Sequence, residues 1–275
     1  MQLFIHWSPS PDAISFGIFS IQWYGILWGL SLMASFFIAT RIFKTLKRDD
    51  EKITLIIQYV FIGGIIGARL AHVFFYNPSF YLANPFEIIA VWKGGLASHG
   101  GVVGGLVGLY VFCRYHTEFT FFWLLDIGII CTLVLASLVR FGNLMNSELC
   151  GKVTDVPWAF IFHKSYEVTD GMPRHPVVLY ESIAYMALQL LMLFLFSKYK
   201  ESRPGIYIVT FLVGVFTVRF FLEFYKEPDG ALILNTISKT QLLNLPFIAA
   251  GIVLAYFVMN DKLKYKAPKT LTTQY

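Results

Sequence analysis

The chain has 275 residues, of which 56% are hydrophobic and only 14% charged, and it carries 27 Phe, 15 Tyr and a formal net charge of +5. A soluble globule of this length has too little interior to hide so much apolar surface, so a water-soluble domain is excluded and a bilayer is the natural solvent. No stretch has the form of a nucleic-acid module, so the positive excess is read as topological charge.

From the N-terminus, "MQLFIHWSPSPDAISFGIFSIQWYG" has no basic residue before its first apolar stretch and no small-residue cleavage site. It is therefore not read as a removable signal peptide, and its Pro-containing segment is expected at the membrane interface. A span needs about 20 apolar residues. Seven such runs follow, at 21–42, 54–76, 96–113, 121–139, 176–197, 205–225 and 245–260. The expected fold is an all-α integral membrane protein of about seven transmembrane helices, forming one polytopic domain over residues 1–275. An outer-side polar loop region is expected between spans four and five. Cys113, Cys131 and Cys150 are too few and too scattered for a disulfide framework or a metal cluster, and are read as structural.

Thirteen of the 22 Lys and Arg residues fall on one face, in "RIFKTLKRDDEK", at Arg114, in "SKYKESRPG" and in the tail "NDKLKYKAPK". Cationic loops stay in the cytoplasm. That places the C-terminus inside and the N-terminus outside. The other nine cations break the rule, and Arg69, Arg140 and Arg219 sit within or at the mouth of apolar runs. An unpaired charge there costs roughly 2.5–3.5 kcal/mol by insertion scales, so each needs a partner, water or a function.

Arg69, His72 and Tyr76 form one helical stripe, open to two readings, inter-helix packing or a ligand pocket. His99 stands among seven glycines between 94 and 108, where backbones approach closely. Asp126 reads as a satisfied structural acid. The loop 140–175 opens with "RFGNLMNSELCG", which supplies Arg140, Asn143, Asn146 and Glu148, and closes with "PRHPVVLYES", which adds Arg174, His175, Tyr180 and Glu181. A planar guanidinium suits a phosphate diester, while the plain alternative is a snorkelling Arg beside helix-capping Asn residues. Arg219 and Glu223, four apart, either neutralise each other or share a site. The residues alone point to a membrane protein that handles an anionic lipid or peptide at the outer leaflet. Enzyme and lipid transporter or flippase are the competing classes.

In order, "GGIIGARL" with "FFYN", "VWKGGLASHGG", "RFGNLMNSELCG", "PRHPVVLYE" and "RFFLEFYKEPD" resemble the bacterial prolipoprotein diacylglyceryl transferases, from about Tyr24 to Pro246. The most specific element is the pattern Arg140, Gly142, Asn143, Asn146, Glu148, Gly151. The resemblance implies an inner-membrane enzyme, needing no cofactor or metal, that moves the diacylglyceryl group of phosphatidylglycerol onto the lipobox Cys thiol of a prolipoprotein signal peptide. It implies Arg140, Asn143, Asn146, Glu148, Gly151 and Arg219 as lipid-binding. His99, Arg140, Arg219, Glu223 and Tyr24 would form the catalytic set, with His99 as base and Glu223 orienting Arg219. Three positions depart from the family, Val139, Leu144 and Val215. At Val215 the family tends to carry a Tyr, whose hydroxyl Tyr225 or Tyr180 would have to replace.

Overall fold

The computed structural model describes residues 4–17, 19–227 and 237–264. The end of the last motif, Pro228 and Asp229, and the tail lysines Lys266 and Lys269 lie outside the described residues. So the cytoplasmic assignment of the C-terminus has no structural counterpart here.

The chain is mostly helical. Five helices are long and apolar enough to cross a membrane: α1 (Trp23–Thr45), α2 (Lys52–Phe75), α7 (Val177–Tyr199), α8 (Ile206–Leu222, continued by a turn to Tyr225) and α9 (Lys239–Met259). A sixth is formed if α5 (Phe121–Ile129) and α6 (Leu133–Met145), bent by 45° at their junction, count as one span. The 96–113 run becomes α4 (Ser98–Tyr115), after the short α3 (Pro78–Ala83) and two 3₁₀ turns, but its glycines make it less apolar than the others. The chain is also not purely helical. Strand β1 (Ile5–Trp7) pairs in parallel with β4 (Phe160–Phe162), and β2 (Asp12–Phe16) forms an antiparallel hairpin with β3 (Phe19–Gln22). Backbone that leaves the apolar helices must still satisfy its N–H and C=O groups, and short strand pairs do so.

The described residues group into two compact units, one of residues up to Ala39 with Asp126–Lys264, the other Thr40–Leu125. In the second unit α2 and α4 pack through glycines. A Cβ on Gly104 would lie 2.8 Å from Gly67 Cα and closer still to Gly63 O, and one on Gly67 would lie 2.7 Å from Gly104 Cα. Only hydrogen side chains permit that approach. Arg69 resolves its two readings in favour of structure. Its guanidinium donates to the carbonyls of Ile88 (2.8 Å), Gly94 (2.6 Å), Gly95 (3.0 Å) and Glu87, over the Tyr81 ring. It thereby ties down the irregular segment 85–95, with a Lys93–Glu87 ion pair at 2.7 Å.

In the first unit, apolar surroundings force each broken helix to find polar partners within the protein. At the α5–α6 break the Gln189 amide of α7 donates to Ile130 O and accepts from Val134 N, both at 2.9 Å. Ser137 and Ser182 exchange hydroxyl-to-carbonyl bonds at 2.8 and 2.9 Å, locking α6 to α7. Asp126, fully buried, accepts from Gly205 N, Tyr207 N and Ile208 N and so caps α8, the structural role expected of it. A capping box at Ser238 and Gln241 opens α9.

Replacing Gly104 by Val puts methyl groups into backbone that cannot retreat. Overpacking of this kind costs about 1–3 kcal/mol, and thermal unfolding in detergent should show a lowered midpoint for Gly104→Val and a normal one for a substitution at Gly29, which has open space around it.

Candidate active site

The sequence places Arg140 at the start of a loop, but α6 continues to Met145. The helix persists because its polar residues have partners, so Arg140 and Asn143 project from one face at i and i+3. Arg140 Nη1 is 3.5 Å from Asn143 Oδ1, Asn143 Nδ2 donates to Glu148 Oε2 at 2.8 Å, and Asn146 Nδ2 donates to Glu148 Oε1 at 3.0 Å. Ser147 and Leu149, either side of Glu148, take positive φ of 56° and 55°. Non-glycine residues there cost roughly 1–3 kcal/mol each, strain that holds Glu148 facing the two amides.

Glu181, on α7, lies at the centre of the cluster and is fully buried. Arg140 Nε lies 2.7 Å from its Oε2, a close ionic contact off the line of a directed hydrogen bond. Lys226 Nζ donates to its Oε1 at 2.7 Å. A lone buried carboxylate is strongly disfavoured, and two cations, one on α6 and one just beyond α8, compensate it. The sequence reading assigned neither Glu181 nor Lys226 to the site. What would have found Glu181 is its position on the buried stripe Val178, Glu181, Ser182, Tyr185, Gln189, a helical period in which a charge is the anomaly.

Arg219 and Glu223 do not form the expected pair. The Glu223 carboxylate accepts from Ser238 Oγ at 2.9 Å and lies 3.9 Å from Lys226, and among the described residues Arg219 has no carboxylate within ion-pair distance. An Arg that precedes its acid by four residues is the weaker order on a helix, and a hydroxyl and a lysine outcompete it. Arg219 instead lies beside Tyr185, whose hydroxyl is also within electrostatic reach of Glu181 and Arg140. Arg140, Arg219 and Lys226 thus converge around Glu181, with Glu148 and Glu223 at the margins.

Tyr24, in the first turn of α1, packs on Gly142, where a Cβ would come 2.9 Å from its ring. Gly151 is enclosed by backbone. Its N–H donates to His175 O at 3.1 Å, and a Cβ would meet that oxygen at 2.5 Å and Tyr225 O at 2.7 Å. This tight bridge to Lys226 sets where the lysine emerges. Arg174 braces the same segment, donating to Gly151 O at 3.1 Å, Glu227 Oε1 at 2.9 Å and Asp170 Oδ2. That hydrogen bond from Arg174 lowers the pKa of Asp170, so this brace contributes above the ordinary carboxylate pKa and is lost as pH falls through the lowered value. Burial lowers the pKa of His175, whose Nδ1 is 3.2 Å from the Tyr180 hydroxyl, so the ring is neutral at pH 7. Trp158 Nε1 donates to the same hydroxyl at 2.8 Å, and Tyr225 packs edge-on against His175. Among the described residues the partners of Tyr180 and Tyr225 are Trp158 and His175, not Arg219. Cys150 is buried, and its thiol pKa is raised chiefly by that burial. All three cysteines are free.

His99 belongs to the other unit. It is exposed on the first turn of α4, bordering an apolar groove of about 1000 Å³ along α2 and α4 that also borders Tyr76 and Phe75.

Several membrane-crossing helices with a buried nest of cations and carboxylates define a multi-pass membrane protein with an internal charged site. The chain belongs to the prolipoprotein diacylglyceryl transferase family, whose sequence profile, described as "Prolipoprotein diacylglyceryl transferase", matches residues 11–257. Proteins named phosphatidylglycerol–prolipoprotein diacylglyceryl transferase are similar to it over nearly their whole length. That of Tolumonas auensis is 39% identical over 261 residues, 94% of this chain and 100% of the relative. That of Chloroherpeton thalassium is 41% identical over 256 residues, 92% and 94% of the two chains. That of Bacteroides fragilis is 38% identical over 278 residues, 94% and 97%.

Glu181→Gln leaves Arg140 and Lys226 without their shared carboxylate. Breaking a buried ion pair from one side costs about 3–5 kcal/mol, so the thermal midpoint of Glu181→Gln should fall well below that of Glu227→Gln, whose carboxylate is half exposed.

Proposed function

We propose that this protein transfers the diacylglyceryl group of phosphatidylglycerol to the thiol of the lipobox cysteine of prolipoproteins, releasing glycerol phosphate, the first step of bacterial lipoprotein maturation. The observation that carries this reading is full-length similarity to relatives named for that reaction. A transporter or flippase for an anionic lipid, the alternative class, is not favoured by that similarity.

The protein is read as one polytopic domain of the inner membrane. Seven spans are obtained by counting α4 and treating α5–α6 as one bent span, with the N-terminus outside, the C-terminus in the cytoplasm and the charged nest at the outer leaflet. The basic loops support that orientation. Arg140 and Arg219 hold the phosphate diester of the lipid. Among the described residues Arg219 has no carboxylate within ion-pair distance, so it is the cation most available to an incoming anion. Asn143, Asn146 and Glu148 hold Arg140 in place, Gly151 sets the segment carrying Lys226, Glu223 fixes the end of α8, and Tyr24 closes the wall against Gly142.

In the reaction the thiol sulfur attacks the glycerol carbon bearing the phosphate. A carbon–sulfur bond forms, the carbon–oxygen bond breaks, and its electrons leave with glycerol phosphate. The thiol is mostly protonated at neutral pH and only thiolate attacks well. His99, exposed on the first turn of α4, is the base that takes that proton in this reading. Charge grows on the departing phosphate as the bond stretches, so guanidinium groups aimed there favour the transition state over the bound lipid.

Incubated with phosphatidylglycerol and a lipobox peptide, the purified protein should add one diacylglyceryl mass to the peptide and release glycerol phosphate, while a Cys→Ser peptide stays unmodified. Arg140→Lys should lose roughly 100-fold in kcat/KM, the scale of one lost transition-state donor. Full turnover in that variant would remove the bidentate clamp. For the base, His99→Gln should lower the single-turnover rate and flatten its pH dependence near neutrality, and an unaltered profile and rate would exclude His99.

A further inference from the structure

Beside Glu181 on α7, one hydroxyl has no acceptor for its proton among the described residues. The Tyr185 hydroxyl is buried, its residue only 3% exposed, and no group makes a directed hydrogen bond to it. Tyr185 follows Glu181 by four residues on α7, so both project from one face into the same place. Arg219 lies beside this hydroxyl, and Glu181 and Arg140 are within electrostatic reach. On α8, the position one turn before Arg219 is Val215, buried and without a hydroxyl. Tyr185 is therefore the neutral hydroxyl that stands next to a guanidinium with no carboxylate at ion-pair distance among the described residues.

Leaving a buried hydroxyl unpaired destabilises a protein. Phe would fill the same volume without that penalty. Three other buried hydroxyls of this unit are satisfied: Tyr207 donates to Lys200 O at 2.6 Å, and Ser137 and Ser182 each donate to the other's carbonyl. An orphan beside Arg219 is what a site looks like when the group it serves arrives from outside. Arg219 is near enough to donate toward the Tyr185 oxygen, but arginine accepts no hydrogen bond, so the hydroxyl's own proton still needs an acceptor. It needs an acceptor that is also drawn to the cation, which describes an anionic oxygen lodged between the two.

We propose that Tyr185 is a further substrate-binding residue, donating its hydroxyl to a phosphate oxygen of phosphatidylglycerol that Arg219 holds from the other side. The assignment rests on the phosphatidylglycerol reading given above. It differs from the arginine clamp in chemistry, because a neutral donor adds direction without charge. A zwitterionic lipid whose phosphate is already neutralised by its own ammonium gains less from the same pair.

The test compares the full-length protein with Tyr185→Phe and with Tyr207→Phe, in detergent micelles, with and without phosphatidylglycerol. For Tyr185→Phe, kcat/KM toward phosphatidylglycerol should fall about tenfold, the scale of one hydrogen bond to a charged group, while the KM for the lipobox peptide stays the same. Its lipid-free melting midpoint should equal or exceed that of the parent, and the rise in midpoint on adding phosphatidylglycerol rather than phosphatidylcholine should shrink. Tyr207→Phe should do the opposite, lowering the lipid-free midpoint with kcat/KM retained. An unchanged kcat/KM and an unchanged lipid-induced rise in Tyr185→Phe overturn the proposal, as does a lowered lipid-free midpoint, which would mean that the hydroxyl has a partner within the protein. If the parent transfers nothing to the peptide, the transferase reading fails. The midpoint comparison then still decides whether Tyr185 contacts the lipid phosphate.

Discussion

A carboxylate with no access to water, inside a bundle whose outer faces are apolar, is the constraint around which the larger unit is arranged. Glu181 is fully buried and takes a contact of 2.7 Å from each of two cations, one on α6 and one just beyond α8. Neither cation would be tolerable at that depth alone, and neither would the acid. Three segments distant in sequence are therefore held at fixed separation by charge as well as by packing. The serine exchange between α6 and α7 and the Gln189 bridge at the α5–α6 break align the same helices by hydrogen bonding.

The cluster is not neutralised evenly. Arg140 and Lys226 share Glu181, and Glu148 is occupied by two amides, whereas among the described residues Arg219 has no carboxylate within ion-pair distance and lies beside Tyr185. Charge left unmatched in an apolar surround is the electrostatic preparation for an anionic ligand. Two glycines serve this arrangement sterically. Gly142 lets the Tyr24 ring lie on α6, and Gly151 lets the chain pass between His175 and Tyr225 so that Lys226 reaches Glu181. The smaller unit relies on the same device for a different end, with glycine-to-glycine contact joining α2 to α4 and Arg69 spent entirely on loop carbonyls.

Hydrophobic runs of span length, the cationic loops and the Arg140–Gly151 motif were legible in the chain because each is local: composition over about 20 residues, or spacing along one helix face, carries the information. On that basis the helical membrane class, the family and the structural character of Asp126 were readable, whereas its capping of α8 was not. Other features depended on partners distant in sequence. The break after Ile129 is stable because Gln189 of α7 satisfies it, and the N-terminal strand exists because Phe160–Phe162 pairs with it. The continuation of α6 past Arg140 likewise needs Glu181, 41 positions on.

What the sequence by itself determined is the solvent the protein lives in, the approximate helices and the identity of the polar residues set against that solvent, since burying charge in a bilayer is costly enough to leave a mark at single positions. Which of those residues meet was decided only by the tertiary structure. Arg69, Arg140 and Arg219 look alike as isolated cations in apolar runs. One is consumed by backbone carbonyls, one by a carboxylate, and one is left beside an unpaired hydroxyl. The physical reason is that a charge states its need for a partner locally, but the partner is supplied by whichever helix packs against it.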